Sequence, residues 1–100
     1  MLHLTQLVFV HPGKEAGLIA FEAAVIPLMA EHGGRMLYRI RPDREAFIDP
    51  EGEVPYEVHV ITFPGEEDLQ RFLSDERRGA LLHMKAEAVR STLLIKGRLV

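Results

Sequence analysis

The sequence predicts an α+β protein in which a four-stranded antiparallel sheet carries two helices on one face. Two runs of β-forming residues each end at a Pro-Gly pair, as strands often do, and a long helical segment stops at a pair of glycines. With the remaining segments, the order is strand, helix, strand, strand, helix, strand. This is the ferredoxin-like βαββαβ pattern, and residues 1–100 fit it as a single domain.

The first half of the chain supplies a strand and a long helix. We expect the strand at residues 4–11 and the helix at residues 14–32, ended by Gly33 and Gly34, which adopt positive φ without strain. Pro27 lies inside the helical pattern and predicts a kink. Because apolar residues occupy nearly the whole circumference of this helix, we expect it to be covered on more than one side.

The second half begins with a strand at residues 35–41 that alternates basic and apolar side chains. An acidic loop with two prolines follows at residues 43–55. A serine-aspartate pair at Ser74 and Asp75 resembles a fresh N-cap and predicts that the second helix breaks and restarts there. The other elements are expected at residues 56–63 for the third strand, 66–90 for the broken helix and 92–95 for the last strand.

The composition excludes several kinds of site. The chain has no cysteine, so it has no disulfide, thiolate metal ligand or cysteine nucleophile. A formal net charge of −3 argues against a nucleic-acid partner, since nucleic-acid binders usually present a net basic surface. The longest apolar stretch is shorter than the ~20 residues of a membrane span, and no secretory signal is visible. We therefore expect a cytoplasmic protein without nucleic-acid or membrane partners.

Side-chain alternation predicts which residues occupy the sheet face that the helices leave uncovered, called here the open face. If Met36, Tyr38 and Ile40 face the helices, then Arg39 and Arg41 lie on the open face. The same rule places the polar residues of the third strand beside the two arginines and next to an apolar area. The polar residues that this rule assigns to the open face are Glu57 and His59, and the apolar area consists of Leu7, Phe9, Ile61 and Phe63.

Apolar walls with a few converging polar groups suit a small organic anion or aromatic molecule. The predicted ligand-binding residues are Arg39, Arg41, Glu57, Phe9 and Ile61. The alternative is an edge strand guarded by arginines, with Glu57 paired to one of them across the ladder. The apolar open face also predicts a homodimer in which a second copy covers it.

Two histidines are candidates for acid–base catalysis. His59 lies beside the predicted pocket, and His32 lies at the end of the first helix, where the alternative is a structural role at the helix terminus. His83 and Glu87 are four residues apart on a helix, but no third ligand has a recognisable spacing, so no metal site is predicted. No phosphate-binding glycine motif occurs, and no cofactor is expected.

Two long segments resemble the DUF1330 family. Residues 11–37 are similar to its first half and residues 58–88 to its second half, with matches at His32, Gly33, Gly34, Arg35, Phe63 and Pro64. The resemblance implies a dimeric α-β barrel, a superfamily that includes antibiotic biosynthesis monooxygenases, muconolactone isomerases and haem-degrading enzymes. The chain lacks the tryptophan of the haem-degrading relatives, which argues against that activity.

Three functions follow from these observations. The first is a dimer that binds a small organic molecule on the open face. The second is a cofactor-independent monooxygenase or isomerase, in which a histidine moves a proton and an arginine holds a carboxylate or enolate. The third is a structural or regulatory dimerisation module without a ligand.

Overall fold

The computed structural model describes residues 1–48 and 52–100, so the middle of the predicted acidic loop lies outside the described residues. The elements are β1 (Leu2–Val10), α1 (Glu15–Glu31), β2 (Arg35–Ile40), a 3₁₀ turn (Arg44–Ala46), β3 (Glu57–Phe63), α2 (Glu66–Leu73), α3 (Glu76–Ala88) and β4 (Val89–Gly97). The strands form one antiparallel sheet in the order β2-β3-β1-β4. This arrangement confirms the predicted ferredoxin-like fold.

The turn after α1 explains why two glycines follow the helix. α1 continues through Pro27, and Gly33 then adopts a φ of +81°, which ordinary side chains rarely tolerate. A Cβ at Gly34 would lie 2.5 Å from the side chain of Met29 and 2.7 Å from that of Phe63. The pair is therefore needed for two different reasons, one of backbone conformation and one of close packing.

The predicted break in the second helix is confirmed, and it gives α2 and α3. Asp75 is the N-cap of α3, and its carboxylate accepts a hydrogen bond from the backbone N–H of Arg77. β4 follows α3 without a loop and is longer than predicted, because it pairs with β1 along nearly its whole length.

The larger of two hydrophobic clusters lies between the sheet and the helices. It is built from side chains of β1, β3, α1 and α2, which are buried together because each of these elements presents an apolar face to the others. Its members are Leu4, Phe21, Val25, Leu28, Met29, Ile61, Phe63, Leu69 and Phe72. The core fixes which sheet face is covered, because Leu4, Ile61 and Phe63 all contribute to it.

A β-bulge in β2 changes the side-chain alternation of that strand. Met36 lies opposite Ile61 and Tyr38 lies opposite Val60, which leaves Leu37 as one extra residue in β2. Met36 packs against the core with Ile61, so it faces the helices. After the bulge, Tyr38 faces the other way, and its side chain is 63% exposed.

The predicted faces of the polar residues are therefore wrong. Beyond the bulge, Arg39 and Arg41 lie on the helix side of the sheet, where they contact Glu57. Glu57 and His59 alternate with Val58 and Val60, and they share the covered face with Ile61. A strict alternation through 35–41 gives the opposite result because it does not include the extra residue in β2.

The assignment of Phe9 and Leu7 to the open face agrees with the structure, since the neighbouring Leu4 and Val8 are buried toward the helices. The open face is strongly apolar on its outer strands. Tyr38, Ile40, Leu93 and Ile95 on this face are each about half exposed or more. No helix among the described residues is long and apolar enough to cross a membrane.

Candidate functional site

A cluster of charged side chains lies under α1, on the covered face of the sheet. Glu57 is 0% exposed, Glu22 is 3% exposed and His59 is 5% exposed. Burying charged groups is costly unless they are paired, so each should have partners in its surroundings. α1 contributes Glu22, β3 contributes Glu57 and His59, β2 contributes Arg39, and Arg41 directly follows β2.

Glu57 is the centre of the cluster and accepts hydrogen bonds from three cationic groups. Its Oε2 accepts from Arg41 Nε at 2.7 Å, and its Oε1 accepts from Arg39 Nε at 3.1 Å and from His59 Nε2. Burial alone would raise the pKa of Glu57, but its polar neighbours Glu22, His59, Arg41 and Arg39 outweigh it and lower that pKa to about 2. Glu57 is therefore ionised at neutral pH.

His59 is held between acceptors on both ring nitrogens. Its Nδ1 is 3.2 Å from Gln6 Oε1, and its Nε2 contacts Glu57 and lies 3.3 Å from Glu22 Oε2. Burial lowers the pKa of His59, but the nearby carboxyl groups of Glu22 and Glu57 act more strongly together, and the net shift is upward. Two acceptors favour the imidazolium form, in which both nitrogens donate.

Glu22 is the least satisfied member of the cluster. Its Oε2 lies 3.0 Å from Arg39 Nε and 3.3 Å from His59 Nε2, yet neither carboxylate oxygen accepts a well-aligned hydrogen bond. Burial raises the pKa of Glu22, and the nearby Glu57 carboxylate adds to this, while His59 opposes it. A buried carboxyl group with a raised pKa and unused oxygen lone pairs is suited to exchanging a proton with a ligand.

Glu22 and His59 line a cavity of about 310 Å³ between the sheet and the helices. Most of its walls are apolar side chains of β1, α1, β3 and α2, as is usual for a ligand pocket. Its polar lining residues are Gln6, Glu22, His59, Arg78, Lys85 and Thr92. Through Glu22 and His59, the cluster thus contributes polar groups to the wall of an otherwise largely apolar chamber.

Glu22, Glu57 and His59 also have the composition of a metal site, with donor atoms within 4.8 Å of one another. Arg39 Nε, however, lies within 3.1 Å of a carboxylate oxygen of both glutamates, and Arg41 binds the other oxygen of Glu57. A cation would have to bind beside two fixed guanidinium groups, which repel it. The charges favour an internal salt-bridge network over a metal site.

The structure brings together four of the residues predicted from the sequence. Arg39, Arg41, Glu57 and His59 form one network, as expected, but on the covered face of the sheet. Ile61 lines the cavity, whereas Phe9 lies on the opposite face and does not.

His32, the second catalytic candidate, is outside this cavity. Its Nε2 lies 2.9 Å from Asp75 Oδ2, so it connects the end of α1 to the start of α3. His83 contacts the backbone carbonyl of Ala80 at 3.0 Å and is exposed. Neither histidine lines the cavity, so neither is included in the candidate site.

Sequence reasoning missed Glu22 as a functional candidate. The signal was present, because Glu22 is the only charged residue in the apolar stretch 18–30 of the first helix. A lone carboxylate there must either face solvent or meet a partner inside the protein. Identifying that partner required the position of β3 under α1.

Comparison with solved structures supports the fold. The chain is similar to a protein of unknown function from Rhodopseudomonas palustris, with 17% identity, a TM-score of 0.85 and coverage of 99% of this chain and 82% of that one. A dimeric protein with a ferredoxin-like fold from Bacteroides fragilis has 14% identity, a TM-score of 0.70 and coverage of 98% and 95%. A DABB family protein with a ferredoxin-like fold from Mesorhizobium loti has 13% identity, a TM-score of 0.69 and coverage of 99% and 96%.

No protein-family model matches the chain, and no curated protein matches it in sequence. The similarity to solved structures therefore supports the ferredoxin-like class, and the DUF1330 family specifically is not supported.

Proposed function

We propose that the protein binds a small, mainly apolar organic molecule in the cavity between sheet and helices, and that Glu22 exchanges a proton with it. The observation that carries the proposal is the state of Glu22, which is buried, lines the cavity and has oxygens without well-aligned hydrogen bonds. Its other neighbours, Arg39 and His59, hold the carboxyl group from the side of the network. A ligand in the cavity would meet the lone pairs that they leave free.

The chemistry best suited to this arrangement is reversible enolisation of a carbonyl compound, with exchange of the proton beside the carbonyl. The Glu22 carboxylate removes a proton from the carbon beside the carbonyl, and the electrons of that C–H bond form the C=C bond of an enolate. The positive charge of the His59 imidazolium, in the lining of the same cavity, stabilises the negative oxygen electrostatically, since both ring nitrogens already contact Gln6 and Glu57. Glu22 then returns the proton to carbon, so the cycle needs no oxidant or cofactor. Burial makes Glu22 a stronger base than an exposed glutamate.

A homodimer through the open face is the second part of the proposal. Supporting it are the half-exposed apolar residues Leu93 and Ile95 on one edge strand and Tyr38 and Ile40 on the other, because monomers rarely expose so continuous an apolar surface. The similar protein from Bacteroides fragilis is dimeric. Membership of the DUF1330 family and a cytoplasmic location stay predictions from the sequence.

The proton-transfer proposal can be tested by deuterium incorporation into small aryl ketones, from phenylacetone to 4-phenyl-2-butanone. Proton NMR in D₂O would follow loss of the C–H signal beside the carbonyl. We expect the wild-type protein to accelerate exchange, and Glu22→Gln to abolish the acceleration while remaining folded, because glutamine cannot accept the proton. Glu87→Gln, which removes an exposed carboxylate on α3, should exchange like the wild type.

Exchange by Glu22→Gln at the wild-type rate would remove Glu22 from the reaction. Absence of wild-type exchange with every ketone would overturn the proton-transfer part of the proposal. Binding is tested separately, by the stabilisation that the same ketones confer in thermal unfolding.

A further inference from the structure

We infer that Arg78 and Lys85 form a second polar end of the cavity, which binds a carboxylate group of the ligand. This inference rests on the proposed function, because it assumes that the cavity is a ligand site. It adds a substrate class: organic acids with an apolar middle and an acidic carbon–hydrogen bond at the end that reaches Glu22. The acid end and the reacting end would then contact different walls of the cavity.

The position of the two cations on α3 is the first argument. Arg78 and Lys85 are seven residues apart, which is two helical turns, so they lie on one face of α3. Both line the cavity, and both are half-buried. Glu22 reaches the cavity from α1 and His59 reaches it from β3. Two cations and an acid–base group thus contribute to one chamber from different elements.

The two cations that line the cavity differ from the neighbouring Arg77 in lacking carboxylate partners among the described residues. Among the described residues, neither Arg78 nor Lys85 forms an ion pair. The guanidinium of Arg78 lies 5.4 Å from the centroid of the Phe72 ring, and its Nη1 is 3.4 Å from the carbonyl oxygen of Leu73. The adjacent Arg77, which is 60% exposed, binds Asp75 and Glu31. On the same helix the exposed arginine is therefore paired with carboxylates, and the one in the cavity is not.

Electrostatics supports the same conclusion. Burial lowers the pKa of Arg78, and burial together with the positive charge of Arg78 lowers the pKa of Lys85. Each shift reports that the charged form is disfavoured where it lies. An anion bound between the two groups would relieve both the desolvation and the mutual repulsion, which is how paired cations favour carboxylate ligands.

The test compares each acid with its uncharged analogue. The probes are phenylacetate, 3-phenylpropionate and 4-phenylbutyrate with the corresponding primary amides, and binding is measured by calorimetry and thermal shift. We expect the best acid to bind about tenfold more tightly than its amide, which corresponds to one charge-assisted hydrogen bond. Arg78→Gln and Lys85→Gln should each reduce this preference and leave amide affinity nearly unchanged. Arg44→Gln, an exposed change of the same charge, should keep the preference.

The outcomes separate this inference from the proposed function. Equal affinity for acids and amides, or an acid preference that survives in both cavity variants, would overturn the carboxylate end while the cavity remains a ligand site. Failure of every acid and every amide to bind would overturn the proposed function itself. If Arg78→Gln unfolds, Lys85→Gln and the acid–amide comparison in the wild type still decide the question.

Discussion

Glu22 Oε2 on α1 lies 3.3 Å from His59 Nε2 on β3. The helix layer and the sheet are therefore joined by a buried polar contact in the wall of a largely apolar cavity. A carboxyl group in this position is costly to ionise, and its cost is only partly offset by Arg39 and His59. The protein therefore retains a group that weakens its core at neutral pH. Such a group is expected at functional sites, where stability is exchanged for reactivity.

The pH dependence of folding should report this cost. The pKa of Glu22 is raised above its ordinary 4.5 in the folded protein, so the folded state binds the proton more tightly and loses stability as pH rises through the folded pKa. The raised pKa of His59 has the same sign, with its contribution fully present below 6.5 and lost above it. We expect Glu22→Gln to lose less stability than the wild type as the pH is raised from 4.5, the ordinary pKa of glutamate, through neutrality. Urea unfolding of both proteins at several pH values across this range measures their free energies of unfolding.

Glu87→Gln is the matched control for that experiment, because Glu87 is exposed on α3. Its pH profile should follow the wild type. A Glu22→Gln profile that is as steep as the wild-type profile would show that Glu22 does not carry the pH dependence.

Removing the Glu57 carboxylate should destabilise the fold strongly. Glu57→Gln leaves Arg39, Arg41 and His59 without their shared anionic acceptor, and we expect a loss of about 2–3 kcal/mol. This is below the value for a fully buried pair, since the side chains of Arg39 and Arg41 are 35% and 43% exposed and remain partly hydrated. Guanidinium or urea unfolding at pH 7 measures the loss.

Acid titration provides a second check on Glu57. The pKa of Glu57 is lowered from 4.5 to about 2 in the folded protein. Its stabilising contribution is therefore present above pH 4.5 and is lost as the pH falls from 4.5 to about 2. The wild type should lose stability through this window, and Glu57→Gln should lose less. Equal acid sensitivity of the two proteins would contradict the central role given to this carboxylate.

The bulge at Leu37 leads to a prediction about deletions in β2. Deleting Leu37 removes the extra residue and leaves Arg39 and Arg41 on the covered face, so the fold and the ion pairs with Glu57 should survive. Deleting Ile40 instead moves Arg41 to the open face and breaks its contact with Glu57. We expect the Leu37 deletion to be the more stable of the two in thermal unfolding, and the reverse order would contradict the assigned register.

The fold was accessible from the sequence because its signals are local. Pro-Gly pairs, the glycines after α1 and the Asp75 N-cap mark element boundaries through backbone conformation alone, and they are found where predicted. The sheet face that carries the candidate site could not be predicted from the sequence. A single bulge residue, Leu37, reverses the alternation of β2, and no local signal distinguishes it from an ordinary strand residue.

The predicted face of β3 was wrong for a different reason from that of β2. Glu57 and His59 are polar and Val58 and Val60 are apolar, so hydrophobicity alone assigns the valines to the core. The structure has the opposite arrangement, because Arg39 and Arg41 supply cationic partners that make burial of Glu57 tolerable. Those partners come from the end of β2, and their proximity to Glu57 depends on the pairing of β2 with β3.

Self-association should depend on the open face. Leu93→Glu places a charge on the outer strand β4, where Leu93 is 51% exposed, and we expect it to convert a dimer to a monomer at micromolar concentration. Leu82→Glu on α3, which is 38% exposed, should leave the mass unchanged. Light scattering gives both masses, and a wild-type monomer would contradict the proposed dimer.

The central claim is that the ligand site lies on the covered face of the sheet and not on the open face. Methyl NMR of the protein titrated with 3-phenylpropionate tests it most directly, because methyl groups line both faces. The claim predicts shift changes and ligand contacts at Val25, Leu18 and Ile61, which line the cavity, with Leu93 and Ile95 unaffected. Contacts confined to Leu93, Ile95 and Val60 would place the ligand on the open face and contradict the claim.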